Sequence, residues 1–287
     1  TMPILCGAIL GWWEQGVFDL GNFLIALLGS LSGALSINAL WEYFDFRNGL
    51  SVDHGGSDLL PDTAYSLMRN GRIDATLTRN LGLIFGAVGL ACSILLALLA
   101  GWPMLFFAGL SFVLALFYAA PPIRYGYRGW GLGEIGVFIS FGLLPVLGGY
   151  YALTQQLSQS ALWATLPLGL LSVLVIYTYN LLRYHRDWLI RKRTLVVSAG
   201  VPRSLDIGIV LTVAAYSSFI LASSIGTLPL WTLLSLGGLP LVLGGFSDIW
   251  RGGRRREDLP SLYTTAINGV IVTAQLFCLS LFLDQLL

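Results

Sequence analysis

The sequence predicts an all-α, polytopic membrane protein with nine transmembrane helices around a central cavity. Three observations lead to this fold class: the composition, the length of the apolar segments and the placement of the basic residues. Of the 287 residues, 56% are hydrophobic and only 11% are charged, whereas soluble domains average about 25% charged residues. Because so few polar side chains could not cover a soluble globule, we expect the chain to lie in a lipid bilayer.

Nine apolar segments are candidate spans, since about 18 or more mostly apolar residues are typical of a transmembrane helix. They are approximately 1–13, 20–44, 80–100, 102–120, 133–154, 161–183, 205–225, 228–246 and 264–286. The first is short and begins with Thr1, so we expect that residues preceding it, including the start of that helix, are missing from this sequence. The nine segments form one predicted membrane-embedded domain, 1–287, with two pseudo-repeats at about 1–120 and 121–287.

The basic residues predict the orientation of the chain. All 16 Lys and Arg lie in four segments, 47–79, 124–128, 183–203 and 251–256, which follow the second, fourth, sixth and eighth predicted spans. Short loops rich in Lys and Arg stay in the cytoplasm. We therefore expect these loops, including RGGRRRED at 251–258, on the cytoplasmic side of a bacterial or archaeal cell membrane. The net charge of +1 gives no indication of nucleic-acid binding.

The second predicted span ends in a run of polar residues. Asn38, Glu42 and Asp45 are spaced i, i+4 and i+7, so they share one face of a helix with 3.6 residues per turn. A carboxylate within the membrane costs about 2.5–3.5 kcal/mol on insertion scales, and two on one face also repel each other. A water-filled cavity, basic partners or a divalent metal must offset that cost.

The sixth predicted span repeats this arrangement. Asn180 is followed seven residues later by Asp187, just as Asn38 is followed by Asp45, and we expect Asn180, Arg183 or Tyr184, and Asp187 on one face of that helix. Two helix ends thus present an amide and carboxylates at about the same depth. Oxygen donors of this kind suit Mg²⁺, which commonly also binds phosphate oxygens.

Basic residues near both helix ends are suited to clamp a polyphosphate. The residues therefore predict a membrane cavity that binds an anionic diphosphate through Mg²⁺, with an apolar tail among the helices. The alternative is that the acidic residues only mark the water interface and the basic loops only set the orientation.

Three segments resemble motifs of one family. NALWEYFD followed by FRNGLSVD, residues 38–53, resembles the first acidic motif of the UbiA superfamily of intramembrane prenyltransferases. The match is closest to the branch that prenylates 1,4-dihydroxy-2-naphthoate in menaquinone biosynthesis. YAAPPIRYGYRGWGLGEIGVF, residues 118–138, resembles its Tyr-x-x-Pro-Pro-x-(Arg/Lys) and Gly-Leu-Gly-Glu signatures. TYNLLRYHRDWLIRKRTLVVSAG, residues 178–200, resembles its second acidic motif.

The resemblance implies that two acidic motifs face each other across the cavity and bind Mg²⁺ and the diphosphate of a polyprenyl donor. Loss of diphosphate leaves an allylic carbocation, which an aromatic acceptor such as a quinone precursor attacks. The expected catalytic residues are Asn38, Glu42, Asp45, Asn180 and Asp187, and the expected metal ligands are Glu42, Asp45, Asp187 and Asp53. The expected diphosphate ligands are Arg47, Arg124, Arg128, Arg183 and Lys192. The residues expected to contact the acceptor or shield the cation are Tyr118, Glu134 and Tyr184.

Two positions depart from the family pattern. Glu42 stands where the first motif has Asp, which keeps the carboxylate. Arg183 stands where the second motif has its first Asp, so a metal ligand is replaced by a cation. Arg183 either pairs with Glu42 or Asp45 and neutralises the site, or binds phosphate in place of one Mg²⁺. Two functions therefore stay open: a prenyltransferase, or a degenerate relative that binds a prenyl lipid or quinone as a subunit of a membrane complex.

Overall fold

The fold is all helical. The structure is a computed structural model that describes residues 1–49, 64–252 and 256–286, and no β-strand occurs within these ranges. The α-helices are α1 (Met2–Gln15), α2 (Leu20–Gly49), α3 (Ala64–Arg69), α4 (Ala75–Ala100), α5 (Pro103–Ala119), α6 (Leu132–Val137), α7 (Leu144–Thr154), α8 (Gln159–Leu182), α9 (Tyr184–Leu189), α10 (Leu195–Ala199), α11 (Val201–Ser224), α12 (Leu239–Arg251) and α13 (Leu259–Leu286). A π-helical turn, Phe138–Leu143, joins α6 to α7, and 3₁₀ turns span Tyr125–Tyr127, Leu230–Gly238 and Arg256–Asp258.

All nine predicted apolar segments are helical. In the described part of the chain, seven helical stretches are long and apolar enough to cross a membrane, Pro103–Ala119 is a shorter apolar helix, and Met2–Gln15 has 14 residues. The all-α membrane fold is therefore confirmed, whereas the number of nine spans and the two pseudo-repeats stay predictions.

The sixth predicted span differs from the expectation in one respect that matters for the site. Helix α8 ends at Leu182, where Arg183 takes a non-helical conformation with φ −94° and ψ 9°. Asp187 therefore lies on the separate short helix α9, and the prediction of one continuous helical face from Asn180 to Asp187 was wrong. By contrast, α2 continues without interruption through Asp45 to Gly49, because nothing in that sequence breaks the helix.

Glycines allow α1 to pack directly against α7. A Cβ atom on Gly7 would lie 2.0 Å from the carbonyl oxygen of Val146, and one on Gly149 would lie 2.1 Å from that of Ile4. Small residues commonly permit such close approach of membrane helices. Seven of the 14 residues of α1 are buried within the bundle.

Two loops and the end of α2 meet at one end of the helix bundle. Arg193 donates its backbone N–H to the carbonyl of Tyr127 at 3.3 Å, which joins the loop after α9 to the loop after α5. Asn48 donates from its side-chain amide to the carbonyl of Ile190 at 3.0 Å. These bonds hold the end of α2 and both loops together at one end of the bundle.

A cavity of about 560 Å³ lies between α2, α4, α5 and α7. Its walls are mainly apolar and rich in glycine. A Cβ atom added to Gly33 on α2 or to Gly109 on α5 would meet no atom within 4 Å, so both glycines border open space.

We predict that Gly149→Ala destabilises the protein by about 1–3 kcal/mol, because overpacking of a closely packed contact carries that cost. The measurement is thermal unfolding in detergent. Gly244→Ala on α12 is the matched control, because a Cβ atom there meets nothing within 4 Å. Equal melting temperatures for the two variants would contradict the close contact between α1 and α7.

Candidate active site

Glu42, near the end of α2, forms an ion pair with Arg183 at the end of α8. The Arg183 Nη1 atom lies 2.5 Å from Glu42 Oε1, and Nη2 lies 3.2 Å from Oε2. The Arg183 guanidinium also lies over the ring of Tyr179, 4.8 Å from its centroid. Glu42 accepts two further hydrogen bonds, from the Tyr179 hydroxyl at 3.2 Å and from the backbone N–H of Tyr65 at 2.9 Å. This bidentate pair joins the two predicted motifs directly.

Asp45, one turn further along α2, is buried and receives two cations. Arg186 Nη2 lies 2.7 Å and Lys192 Nζ 3.1 Å from its Oδ2 atom. The hydroxyl of Tyr127 donates to Oδ1 at 2.5 Å. Three donors from three different segments thus converge on one carboxylate.

Asp187 on α9 is the third carboxylate of this site. Its Oδ1 atom accepts from Arg186 Nη2 at 3.0 Å and from Arg186 Nε at 3.3 Å. Burial raises the pKa of the Asp187 carboxyl to about 7, although the charges of Lys192 and Arg183 oppose the shift. The carboxyl therefore titrates close to neutral pH.

We call these six side chains the ionic cluster. Three are acidic and three are basic, so their formal charges cancel. The members are Glu42, Asp45, Asp187, Arg183, Arg186 and Lys192. Charges taken out of water cost several kcal/mol each unless they are paired, and mutual pairing is what makes this buried group stable.

The carboxylate oxygens of the ionic cluster are nearly all engaged by donors of the protein itself. Of the six carboxylate oxygens, Asp187 Oδ2 alone lacks a hydrogen-bond partner among the described residues. Within the same ranges, no group of three or more acidic, His or Cys side chains has an arrangement suited to a metal ion. By contrast, Arg186 Nη1 and the nearby Arg124 Nε are buried N–H donors without a described partner.

Aromatic side chains, which we call the aromatic layer, link the ionic cluster to the cavity through successive contacts. Lys192 Nζ lies 5.2 Å from the ring centroid of Tyr118, which stacks on Trp41 at 4.5 Å. Trp41 in turn contacts Phe141 in an edge-on arrangement at 5.7 Å, and Phe141 lines the cavity. Aromatic faces attract cations, so this layer can stabilise positive charge beside the ionic cluster.

Three predicted residues take no part in the ion pairs of the cluster. The side-chain amide of Asn180 donates to the Tyr118 hydroxyl at 3.4 Å, so Asn180 contacts the aromatic layer. Glu134 lies in the first turn of α6, and its Oε1 atom is buried without a described partner. Arg124 donates from Nη1 to Asn48 Oδ1 at 3.0 Å.

Other predicted residues are exposed, packed against the hydrophobic core or outside the described residues. Asn38, Arg47 and Arg128 have exposed side chains, and Tyr184 packs against the hydrophobic core. Asp53 lies outside the described residues. The predicted roles of all these residues stay predictions.

Sequence reasoning counted Arg186 only among the basic residues suited to clamp a polyphosphate, and it missed Tyr127 and Trp41, which the structure also brings into the site. Arg186 contacts both Asp45 and Asp187, and Tyr127 contacts Asp45. Trp41 stacks on Tyr118 in the aromatic layer. Arg186 precedes Asp187 and Trp41 precedes Glu42 in the sequence, so adjacency to a motif residue was the available signal. Nothing local marks Tyr127, because its partner lies 82 residues away.

We predict that Glu42→Gln and Arg183→Gln each lower the stability, because each leaves a buried charge without its partner. The double variant should lose about 0.5–3 kcal/mol less than the sum of the two single variants, as contacting residues do. Thermal unfolding of the four proteins measures this coupling. Additive losses would contradict a direct ion pair.

Comparison with known proteins identifies the family of the chain. Residues 1–268 match the UbiA prenyltransferase family. The chain is 29% identical to 1,4-dihydroxy-2-naphthoate octaprenyltransferase of Escherichia coli, over 98% of this chain and 90% of that protein. It is 27% identical to 2-carboxy-1,4-naphthoquinone phytyltransferase of Synechocystis, over 93% of this chain and 84% of that protein.

The fold is also found in a solved structure. A UbiA homolog from Archaeoglobus fulgidus bound to GPP and Mg²⁺ superposes with a TM-score of 0.59, over 96% of this chain and 95% of that one, at 14% identity. The family match spans most of the sequence, and the two motif helices meet in one polar site. The chain is an integral membrane protein that belongs to the UbiA prenyltransferase family.

Proposed function

We propose that the protein transfers a polyprenyl group from a prenyl diphosphate to a dihydroxynaphthoate-type aromatic acceptor within the membrane. The observation that carries this proposal is the meeting of both motifs in one buried ionic cluster that adjoins an aromatic layer and an apolar cavity. The names of the Escherichia coli and Synechocystis relatives support a naphthalene-ring acceptor.

The donor diphosphate is proposed to bind at the ionic cluster. Arg186 Nη1 and Arg124 Nε are buried donors without a described partner. Hydrogen bonds from a charged donor to phosphate are stronger than hydrogen bonds between neutral groups. Lys192 lies beside them on Asp45. Mg²⁺ remains a predicted cofactor that would enter as a counter-ion of the donor diphosphate.

The reaction follows from this placement. The C–O bond of the donor breaks, and its electron pair leaves with the diphosphate, where fixed cations stabilise the added charge. Trp41 and Tyr118 lie beside Lys192 of the cluster, and their ring faces are proposed to stabilise the allylic cation. A ring carbon of the acceptor supplies the electron pair of the new C–C bond and then loses its proton. Exclusion of water by the membrane-embedded site protects the cation from hydrolysis.

The apolar cavity is proposed to hold the donor chain. Its volume of about 560 Å³ lies within the range of about 300–1,000 Å³ that is common for small-molecule pockets. Phe141 lines the cavity and also belongs to the aromatic layer. A prenyl chain that fills the cavity as far as Phe141 therefore has its reactive end next to the aromatic layer and the ionic cluster.

We also propose an orientation for the site in the membrane and a set of partners. The loops that carry the motifs, and the basic segment at 251–258, are proposed to face the cytoplasm, because all 16 Lys and Arg lie in these four segments and loops rich in Lys and Arg stay cytoplasmic. The partners are then the two substrates and the bilayer. Association with other membrane subunits stays a prediction.

We predict that Lys192→Met lowers kcat/KM for transfer from geranylgeranyl diphosphate to 1,4-dihydroxy-2-naphthoate by about 10²-fold, as loss of one charge-stabilising donor does. Product formation is measured in proteoliposomes. Arg191→Gln is the control, because Arg191 is an exposed cation of the same loop.

Unchanged activity of Lys192→Met would place the diphosphate elsewhere. If the native protein releases no diphosphate with either substrate present, the transferase proposal is wrong. Retained binding of the prenyl donor in that case would favour the lipid-holding alternative.

We predict that Gly33→Leu shifts the donor preference toward shorter chains, because the new side chain fills the cavity. The ratio of kcat/KM for geranylgeranyl over geranyl diphosphate should fall about tenfold or more, since pocket fit of a few methylenes is worth that much. Gly244→Leu is the matched control, because its Cβ also meets nothing within 4 Å but lies on α12, away from this cavity. An equal ratio in both variants would show that the chain lies elsewhere.

A further inference from the structure

One donor and one acceptor of the ionic cluster, Arg186 Nη1 and Asp187 Oδ2, have no hydrogen-bond partner in the described ranges. Arg186 is 4% exposed, and its Nη1 atom has no partner in the described ranges. Arg124 Nε is likewise buried and unpartnered there. A buried donor without a partner costs about 1–3 kcal/mol, and more for a charged group. A buried cationic donor of this kind is expected where an anionic ligand completes the hydrogen bonds.

Nearly all carboxylate oxygens of the cluster, in contrast, already accept hydrogen bonds from the protein. Both oxygens of Glu42 and both oxygens of Asp45 accept from cations, hydroxyls or a backbone N–H. Mg²⁺ requires near-octahedral oxygen ligands at about 2.0–2.1 Å. An ion at Glu42 would have to displace Arg183, and one at Asp45 would have to displace Arg186 and Lys192.

Arg183 leaves no place for a metal ion at Glu42, because two contacts hold its guanidinium in position. Its guanidinium is bidentate on Glu42 and stacks on Tyr179. The side chain is 5% exposed, so little room remains for it to rotate away. A fixed cation therefore occupies the position from which a divalent ion would contact Glu42.

We propose that this protein binds prenyl diphosphate on fixed side-chain cations, without a divalent metal resident in the ionic cluster. Arg183 neutralises Glu42, and Arg186 and Lys192 neutralise Asp45, so that Arg186 Nη1 and Arg124 Nε are left to bind phosphate oxygens. The inference rests on the proposed function for the identity of the ligand, and it is tested by binding rather than by turnover.

The experiment measures binding of a non-hydrolysable thio analogue of geranylgeranyl diphosphate to the full chain in nanodiscs by calorimetry. With EDTA present, the Kd of the native protein should rise by less than about tenfold relative to the value in Mg²⁺, a difference of about 1.4 kcal/mol. In parallel, electron paramagnetic resonance with Mn²⁺ alone should detect no tightly bound ion.

Arg183→Asp is expected to reverse both results. It removes the cation and adds a carboxylate opposite Glu42, so Mn²⁺ should bind and analogue binding in EDTA should weaken by at least about tenfold. Arg183→Lys retains the charge and should bind the analogue in EDTA within about tenfold of the native protein. Arg191→Gln, which alters an exposed cation of the same loop, should behave as the native protein does.

The native protein alone can overturn the inference, even if Arg183→Asp does not fold. Tight Mn²⁺ binding without the analogue, or loss of analogue binding in EDTA, would show a resident metal. If such a protein still transfers the prenyl group with Mg²⁺, the proposed function stands and this inference fails. If the analogue binds in EDTA but no transfer occurs with any metal, the inference stands and the proposed function fails.

Discussion

The buried ion pairs between α2 and the α8–α9 corner are the constraint on which the rest of the site depends. Charges in a membrane protein cannot be left unpaired, because each costs several kcal/mol once water is removed. Glu42 therefore requires Arg183, and Asp45 requires Arg186 and Lys192. These requirements bring together segments that are about 140 residues apart in the chain, and they fix the loop of Tyr127, whose hydroxyl contacts Asp45.

From this constraint follows the layered order of the site. Charged side chains lie at the end of the bundle where the basic loops meet, the Tyr118–Trp41–Phe141 stack lies next to them, and the apolar cavity follows. A prenyl diphosphate has the same order along its length: an anionic head, a reactive allylic carbon and an apolar chain. The π-helical turn that carries Phe141 contributes to this order, as π-helical segments frequently do at functional sites.

Arg183 distinguishes this chain from the family pattern that its motifs resemble. Where that pattern has a carboxylate, the present site has a guanidinium that already pairs with Glu42. In the metal-free site that we propose, this exchange places in the protein itself a positive charge that a dissociable metal ion would otherwise supply. Arg suits this role better than Lys, because its planar, always-charged group binds a carboxylate through two hydrogen bonds and stacks on an aromatic ring, as it does here on Tyr179.

The sequence by itself determined the membrane-embedded helical fold, because apolar runs of this length have no other stable environment. It also located the helix ends that meet, since carboxylates within such runs require a partner. It did not show that α8 stops at Leu182, that Asn38 is exposed or that Asn180 faces Tyr118, because these depend on neighbours distant in the chain. The tertiary structure alone decided which cation meets which carboxylate. Pairing is set by distances between side chains on different segments, and those distances do not exist until the helices have packed.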